Sequence, residues 1–347
     1  MKTLTSITMI KRLALPVSIV LALALTPLLA AADDVTTWRF QTHHPRASVS
    51  YADSVEFFKE RIEERTDGRL RIEIYEAGSL VPTMEIFPAV QRGIVEMGSI
   101  SAGYILDRSE LSGIAFGLPN AFRDVWEAAY FWHNLDFESV YREDLLENYG
   151  VYWATSLFYP TEMVVKEPIE SLSDFRGLNL RSIGTLQHFL TQTGAAASSI
   201  PGEELYQALA TGVVDGAHWG AVTGAESMGL YELAKYHVRP PLNISSNGFI
   251  VNQRAMESLP DDVQEILVQT LAEQSWFTTA RNEFREKVVL SEVMEDEGVQ
   301  VIELPADVMD AMTEAAAGIW EQEAAKGDKA ADAIKRVEAY LEELGYL

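Results

Sequence analysis

The chain has 347 residues and a formal net charge of −25, from 27 Lys and Arg against 52 Asp and Glu. A surface this acidic repels nucleic acid and anionic lipid, so neither is an expected partner. Cysteine is absent, which rules out disulfides and thiol chemistry.

Residues 1–32 read as a secretory signal peptide. Lys2, Lys11 and Arg12 are the only charges ahead of an apolar run over 13–29, and Ala30-Ala31-Ala32 supplies a cleavage pattern before Asp33-Asp34. Pro16 and Pro27 argue against a retained anchor helix, and the lack of Cys excludes a lipoprotein. No later stretch is apolar enough to span a bilayer, so no membrane insertion of the mature chain is expected. The expected location is outside the cytoplasm, reached by secretion. The acidity suits a saline habitat, where salt screens self-repulsion, and suits a generally soluble surface equally well. The chain beyond the signal exceeds one ordinary core, so two domains are expected.

From there strands and helices alternate, which predicts an α/β protein. Residues 35–42 form a first strand. A helix over 49–66 places Val55, Phe58 and Ile62 at helical spacing and stops at Asp67-Gly68. Residues 69–75 alternate strictly, with Leu70, Ile72 and Ile74 on one side. A helix near 84–92 and a strand over 95–100 complete a βαβαβ start. No GxGxxG follows the first strand, and no phosphate-binding GxxxxGK[ST] loop occurs. Two aromatic-rich helices fill 123–149, and 151–158 and 163–166 read as two strands.

The most informative stretch is 171–219. Ser171 to Asp174 begins a helix, Leu178 to Ser182 makes a strand, and Arg181 sits at its carboxyl end. A second helix carries Leu205, Ala208 and Leu209 as its core stripe and stops at Gly212. A short strand then ends at Val214-Asp215-Gly216, a turn signal, with His218 and Trp219 just beyond it. A return strand follows over 246–252. A long helical pattern runs from Pro260 to about 293, with Asp261 or Asp262 as cap. A strand near 299–303 and further amphipathic helix close the chain.

Catalytic motifs are missing. The six histidines (His43, His44, His133, His188, His218 and His237) form no HExxH pair, and there is no GxSxG elbow or acidic calcium loop. Arg181 stands apart. A guanidinium holds a carboxylate through two parallel hydrogen bonds and keeps its charge when desolvated. Crevices lie at the carboxyl ends of strands in α/β sheets, which also favours Trp219 as a ligand contact.

In order and spacing these pieces resemble the solute-binding proteins of TRAP (tripartite ATP-independent periplasmic) transporters. The family pattern K-[IL]-R-x-P-x, then E-x-Y-x-A-L-Q-x-G-x-[VI]-D-G, is matched here by Leu178 to Ile183 and Glu204 to Gly216. Trp38-Arg39-Phe40, the helix ahead of Gly68, Gly93 to Gly98, and Ser258 to Gln264 extend the similarity over the mature chain. The resemblance implies that Arg181 binds a ligand carboxylate. Ala217-His218-Trp219-Gly220, with Met228 to Tyr236 downstream, looks like the branch that binds 2-oxo acids, lactate and related monocarboxylates. Some of that branch bridge ligand and protein with a metal held partly by a Glu before the Trp. Here that residue is His218, and Leu242-Asn243-Ile244 replaces a later Trp-His-Glu-like segment, so no metal and no other cofactor is expected.

The resemblance implies a two-lobed periplasmic binding protein fold (type II-like), with a long helix spanning both lobes. Lobe I is expected over 33–157 and about 247–290, lobe II over 158–246, and the helices of 291–347 wrap both. Arg181 would anchor a carboxylate and Trp219 would stack on the ligand. Tyr159, His218, Asn243, His43, His44 and Tyr104 would select its substituents. The implied partners are a small organic acid and the permease subunits in the membrane, and no catalysis is implied. A secreted hydrolase or lyase of small acids, or a solute sensor, are the alternatives.

Overall fold

Residues 35–347 are described by the structure, a computed structural model. The expected signal peptide lies outside the described residues. Nine strands form one mixed sheet: β1 (Thr36–Thr42), β2 (Leu70–Tyr75), β3 (Met97–Ser101), β4 (Val151–Val165), β5 (Asn179–Ser182), β6 (Ala196–Ser199), β7 (Gly216–Gly220), β8 (Tyr236–Asn252) and β9 (Gln300–Glu303). Their spatial order is β2-β1-β3-β8-β4-β7-β5-β6, with β9 beside β8.

The sheet has two wings joined by a ribbon. On one wing β1 runs parallel to β2 and β3; on the other β5 runs parallel to β6 and β7. Between them β4 and β8 pair antiparallel from Val151↔Asn252 to Val165↔Tyr236. The register shifts between Thr155 and Leu157 and again between Thr161 and Met163. Bulges of this kind bend a strand and re-aim its side chains.

The alternation expected of β2 is realised, with Leu70 and Ile72 buried against Val55, Phe58 and Ile62 of the preceding helix. That helix opens with a π-type segment, Tyr51–Glu56, before Phe57–Arg65. The two strands expected over 151–166 are the single strand β4, and the short return strand is the 17-residue β8. Pro160 and Pro240 were natural break points, but the bulged ribbon absorbs them: Pro160 pairs with Ile244 and the Arg239–Pro240 bond is cis.

A helix of 36 residues, Asp261–Asp296, lies over β4. It has no side-chain cap from Asp261 or Asp262; Pro260 occupies the cap position and Asp262 pairs with Arg69 at 2.6 Å. Its Val263, Leu267 and Leu271 belong to the core with Trp38 and Phe40. Its Val289 and Val293 belong to a separate core with Leu205, Leu209 and Val222. One helix is therefore common to both cores. The closing helices Ala306–Ala324 and Asp328–Glu343 bury Val308, Met312, Ile334 and Val337 in the largest core.

Candidate functional site

The parallel strands of both wings end around one cleft. Thr42 ends β1 just before His43 and His44, Ser101 ends β3 just before Tyr104, and Arg181 lies one residue from the end of β5. β7 contributes His218, Trp219 and Gly220, and the bulged middle of β4 contributes Leu157, Tyr159 and Thr161. The cleft holds about 680 Å³ of space between atoms, open water at its mouth included.

Arg181 is the core of this site. It is 1% exposed, yet its guanidinium forms no ion pair among the described residues. It donates from Nε to Ile200 O at 2.8 Å, from Nη1 to His218 O at 3.1 Å, and from Nη2 to Tyr104 Oη at 3.0 Å. These three bonds use three of its five N–H groups. Its Cζ lies 4.9 Å from the centroid of Trp219, a cation–π distance. A buried charge without a counter-ion costs several kcal/mol in a dry interior, roughly 3–5 by analogy with broken buried pairs. An anion in the cleft removes that cost.

The indole of Trp219 is fixed on several sides. Its Nε1 donates to Gly224 O at 3.1 Å. A Cβ on Gly202 would lie 2.7 Å from its Cη2, and one on Gly224 would lie 3.2 Å from its Cδ1. A side chain at Gly202 would therefore displace the ring, and one at Gly224 would crowd it. His218 and Trp219 stand inside β7 rather than beyond a turn, and the strand begins at Gly216 instead of ending there. The correction has a simple cause: Asp215 N donates to Asn179 O at 2.8 Å and Asp215 Oδ2 accepts from Asn179 N at 2.9 Å, which seats the segment beside β5.

The imidazoles are buried and neutral. His218 Nδ1 lies 2.5 Å from Ser182 Oγ, and burial, with the nearby Arg181 charge, holds its pKa well below the usual histidine value. Burial likewise lowers His43 to about 4 and His44 well below 6.5. His43 Nδ1 lies 2.9 Å from Ser99 O, and the two rings are 3.9 Å apart. Tyr104 and Tyr159 are raised by burial and stay protonated, so each offers a hydroxyl. Tyr159 Oη donates to Asn247 Oδ1 at 3.3 Å.

Of the residues singled out in the sequence, Arg181, Trp219, His218, Tyr159, His43, His44 and Tyr104 line this cleft together. Asn243 does not. Its Nδ2 donates to Gly117 O at 2.8 Å and its Oδ1 accepts from Ser245 Oγ at 3.0 Å, so it braces the ribbon. It is absent from the cleft lining, and these bonds give it a supporting place in the ribbon rather than the expected ligand contact.

The long helix supplies cleft residues that the sequence did not reveal, Asn282 and Glu286. Glu286 Oε1 accepts from Thr223 N at 3.1 Å and from Thr223 Oγ1, whereas Oε2 is buried without a hydrogen-bond partner. Burial raises this carboxyl to about 7. The one available signal was the four-residue spacing of Asn282 and Glu286, which puts them on one helix face.

Two further contacts join segments distant in sequence: Thr83 Oγ1 donates to Glu203 at 3.0 and 3.1 Å, and Val49 N donates to Ser227 Oγ at 3.1 Å. No helix among the described residues is long and apolar enough to cross a membrane.

With this geometry in hand, comparison with known proteins is informative. A monocarboxylate 2-oxoacid-binding periplasmic protein of a Nostoc species is 26% identical over 298 residues, spanning 83% of this chain and 79% of that protein. A TRAP transporter solute-binding protein of Bordetella bronchiseptica, solved with calcium and picolinate, has the same fold at a TM-score of 0.83 and 24% identity, covering 90% of this chain and 93% of that one. One of Pseudoalteromonas atlantica, with sodium and pyruvate, gives a TM-score of 0.82 at 23% identity, covering 90% and 95%.

The two positions where the resemblance implies metal ligands differ here. A hard cation requires oxygen ligands. The residue ahead of Trp219 is an imidazole engaged by Ser182, beside a fixed guanidinium, and Asn243 is occupied elsewhere. Among the described residues no three His, Asp or Glu side chains group as metal ligands.

The model of family 7 of the bacterial extracellular solute-binding proteins, DctP, matches residues 40–326. The hydrolase or lyase alternative gives way accordingly: the chain belongs to the DctP family of extracellular solute-binding proteins and is a binding protein, not an enzyme.

Proposed function

We propose that the protein is the periplasmic receptor of a TRAP transporter, that it captures a small organic acid by its carboxylate, and that it delivers the acid to the permease subunits in the membrane. The observation that carries this reading is Arg181, buried at the floor of the cleft with no carboxylate beside it. Two of its N–H groups remain for a ligand, the number a carboxylate uses in a parallel pair. Trp219 forms an apolar wall beside the guanidinium. His218, Tyr104, Tyr159, His43 and His44 surround the space where the rest of the acid would sit. Picolinate and pyruvate, the ligands of the two similar structures described above, are small carboxylates.

In this reading, lobe I comprises 33–157 with about 247–290 and lobe II comprises 158–246. Contacts from both would favour a closed form, because a ligand shifts such an equilibrium only through its differential affinity for the two states. The test is a thermal-shift screen of small carboxylates on the mature protein. A monocarboxylate is expected to raise the melting temperature, and Arg181→Ala to remove the shift. An equal shift in that variant overturns the anchor.

A further inference from the structure

The cleft contains a second polar group whose bonding is incomplete. Glu286 projects from the long helix to Thr223, four residues beyond Trp219, and both line the same space as Arg181. Thr223 engages Oε1 through its amide and its hydroxyl. Oε2 is buried and has no partner in the protein. Glu286 and Arg181 do not pair with each other, although each would offset the other's desolvation if they met. The residues lining the cleft thus include a cation lacking an anion and a carboxyl with one oxygen lacking a donor, held apart by separate scaffolds.

We infer that the ligand carries both complementary groups: a carboxylate for Arg181 and an N–H donor for Glu286 Oε2, so that the preferred class is small amino carboxylates rather than plain monocarboxylic acids. This inference rests on the Arg181 reading and narrows it. A buried oxygen without a donor is costly, and satisfying it with a charged donor is among the stronger polar gains a site can offer. Burial holds the carboxyl near neutrality, so an ammonium beside it would recover the charged form that burial disfavours. The cleft volume admits molecules of this size with room for a short chain between the two groups.

The experiment is calorimetric titration of the mature protein with alanine, β-alanine and 4-aminobutyrate, each against the acid of equal length without the amine. At least one amino carboxylate is expected to bind about tenfold or more tightly than its partner acid. Glu286→Gln preserves shape and the bond from Thr223 Oγ1 while removing the charge. It should erase most of that preference, so that the ratio of amino carboxylate to plain acid affinity falls towards one. Melting curves of the unliganded variant verify its fold, and the wild-type series tests the claim without any variant. If plain acids bind through Arg181 and no amine improves them, or if Glu286→Gln keeps the preference, the Glu286 assignment is overturned while the carboxylate anchor stands. If no acid of either series binds in an Arg181-dependent way, both are overturned.

Discussion

Arg181 Nη2 donates to Tyr104 Oη at 3.0 Å, joining the end of β5 in one wing to the turn after β3 in the other. The bond orients the guanidinium from outside its own strand. Hydrogen bonds to charged groups in buried sites are worth about 1.5–3 kcal/mol. Tyr104→Phe is therefore expected to weaken carboxylate binding about tenfold while the protein still folds, as measured by calorimetry and circular dichroism. An unchanged dissociation constant would count against an orienting role.

The closeness of Gly202 to Trp219 yields a second expectation. A methyl group there would meet the indole edge at 2.7 Å, so the ring must shift away from its bond to Gly224. Gly202→Ala should lower stability by about 1–3 kcal/mol, the usual cost of overpacking, should weaken ligand binding through the displaced indole, and should alter tryptophan fluorescence on binding. Wild-type affinity in this variant would place the ligand away from the indole.

Stability should depend on pH in two opposing ways. His43 is lowered to about 4 by burial, and His44 and His218 are lowered as well. As pH falls from 6.5 towards 4 the unfolded chain takes up protons that the folded chain refuses, so stability is lost with acidification. Glu286 acts oppositely. Its folded carboxyl holds a proton up to about pH 7, whereas the unfolded one releases it near 4.5, so stability is lost as pH rises through that window. Glu286→Gln removes this second contribution. In urea denaturation the variant should gain about 2 kcal/mol relative to wild type between pH 5 and pH 8. No change in the difference would mean that Glu286 titrates normally.

Binding should not require a metal. At the two positions where the resemblance implies metal ligands this chain has His218, whose ring is engaged by Ser182, and Asn243, which is bonded to Gly117. Exhaustive treatment with EDTA is expected to leave ligand affinity unchanged. A loss restored by calcium or sodium would refute this.

Much of the site could be read from sequence because its chemistry is compressed into a few residues. Arg181 is recognisable as a long cation at a strand end, and His218 and Trp219 stand just past Asp215-Gly216. Other features depend on contacts that leave no local trace. The pairing of Asp215 with Asn179 turns an apparent strand end into the start of β7. Asn243 looks like any polar residue until the Gly117 carbonyl is found against it. Glu286 is one acid among many in a helix, distinguished only by what Thr223 does to it. The length of β4 and β8 was hidden by prolines that would normally end a strand.

The bulged ribbon constrains how solute can enter and leave. Because β4 and β8 run unbroken through both wings, the wings cannot separate as two bodies on a loose tether. Widening the cleft must flex two hydrogen-bonded strands, and their irregular positions at Thr155–Leu157 and Thr161–Met163 lie on either side of Tyr159. If the cleft widens, the ribbon is expected to flex as a short leaf spring at the two register shifts that bracket Tyr159, which would tie access to Arg181 to their stiffness.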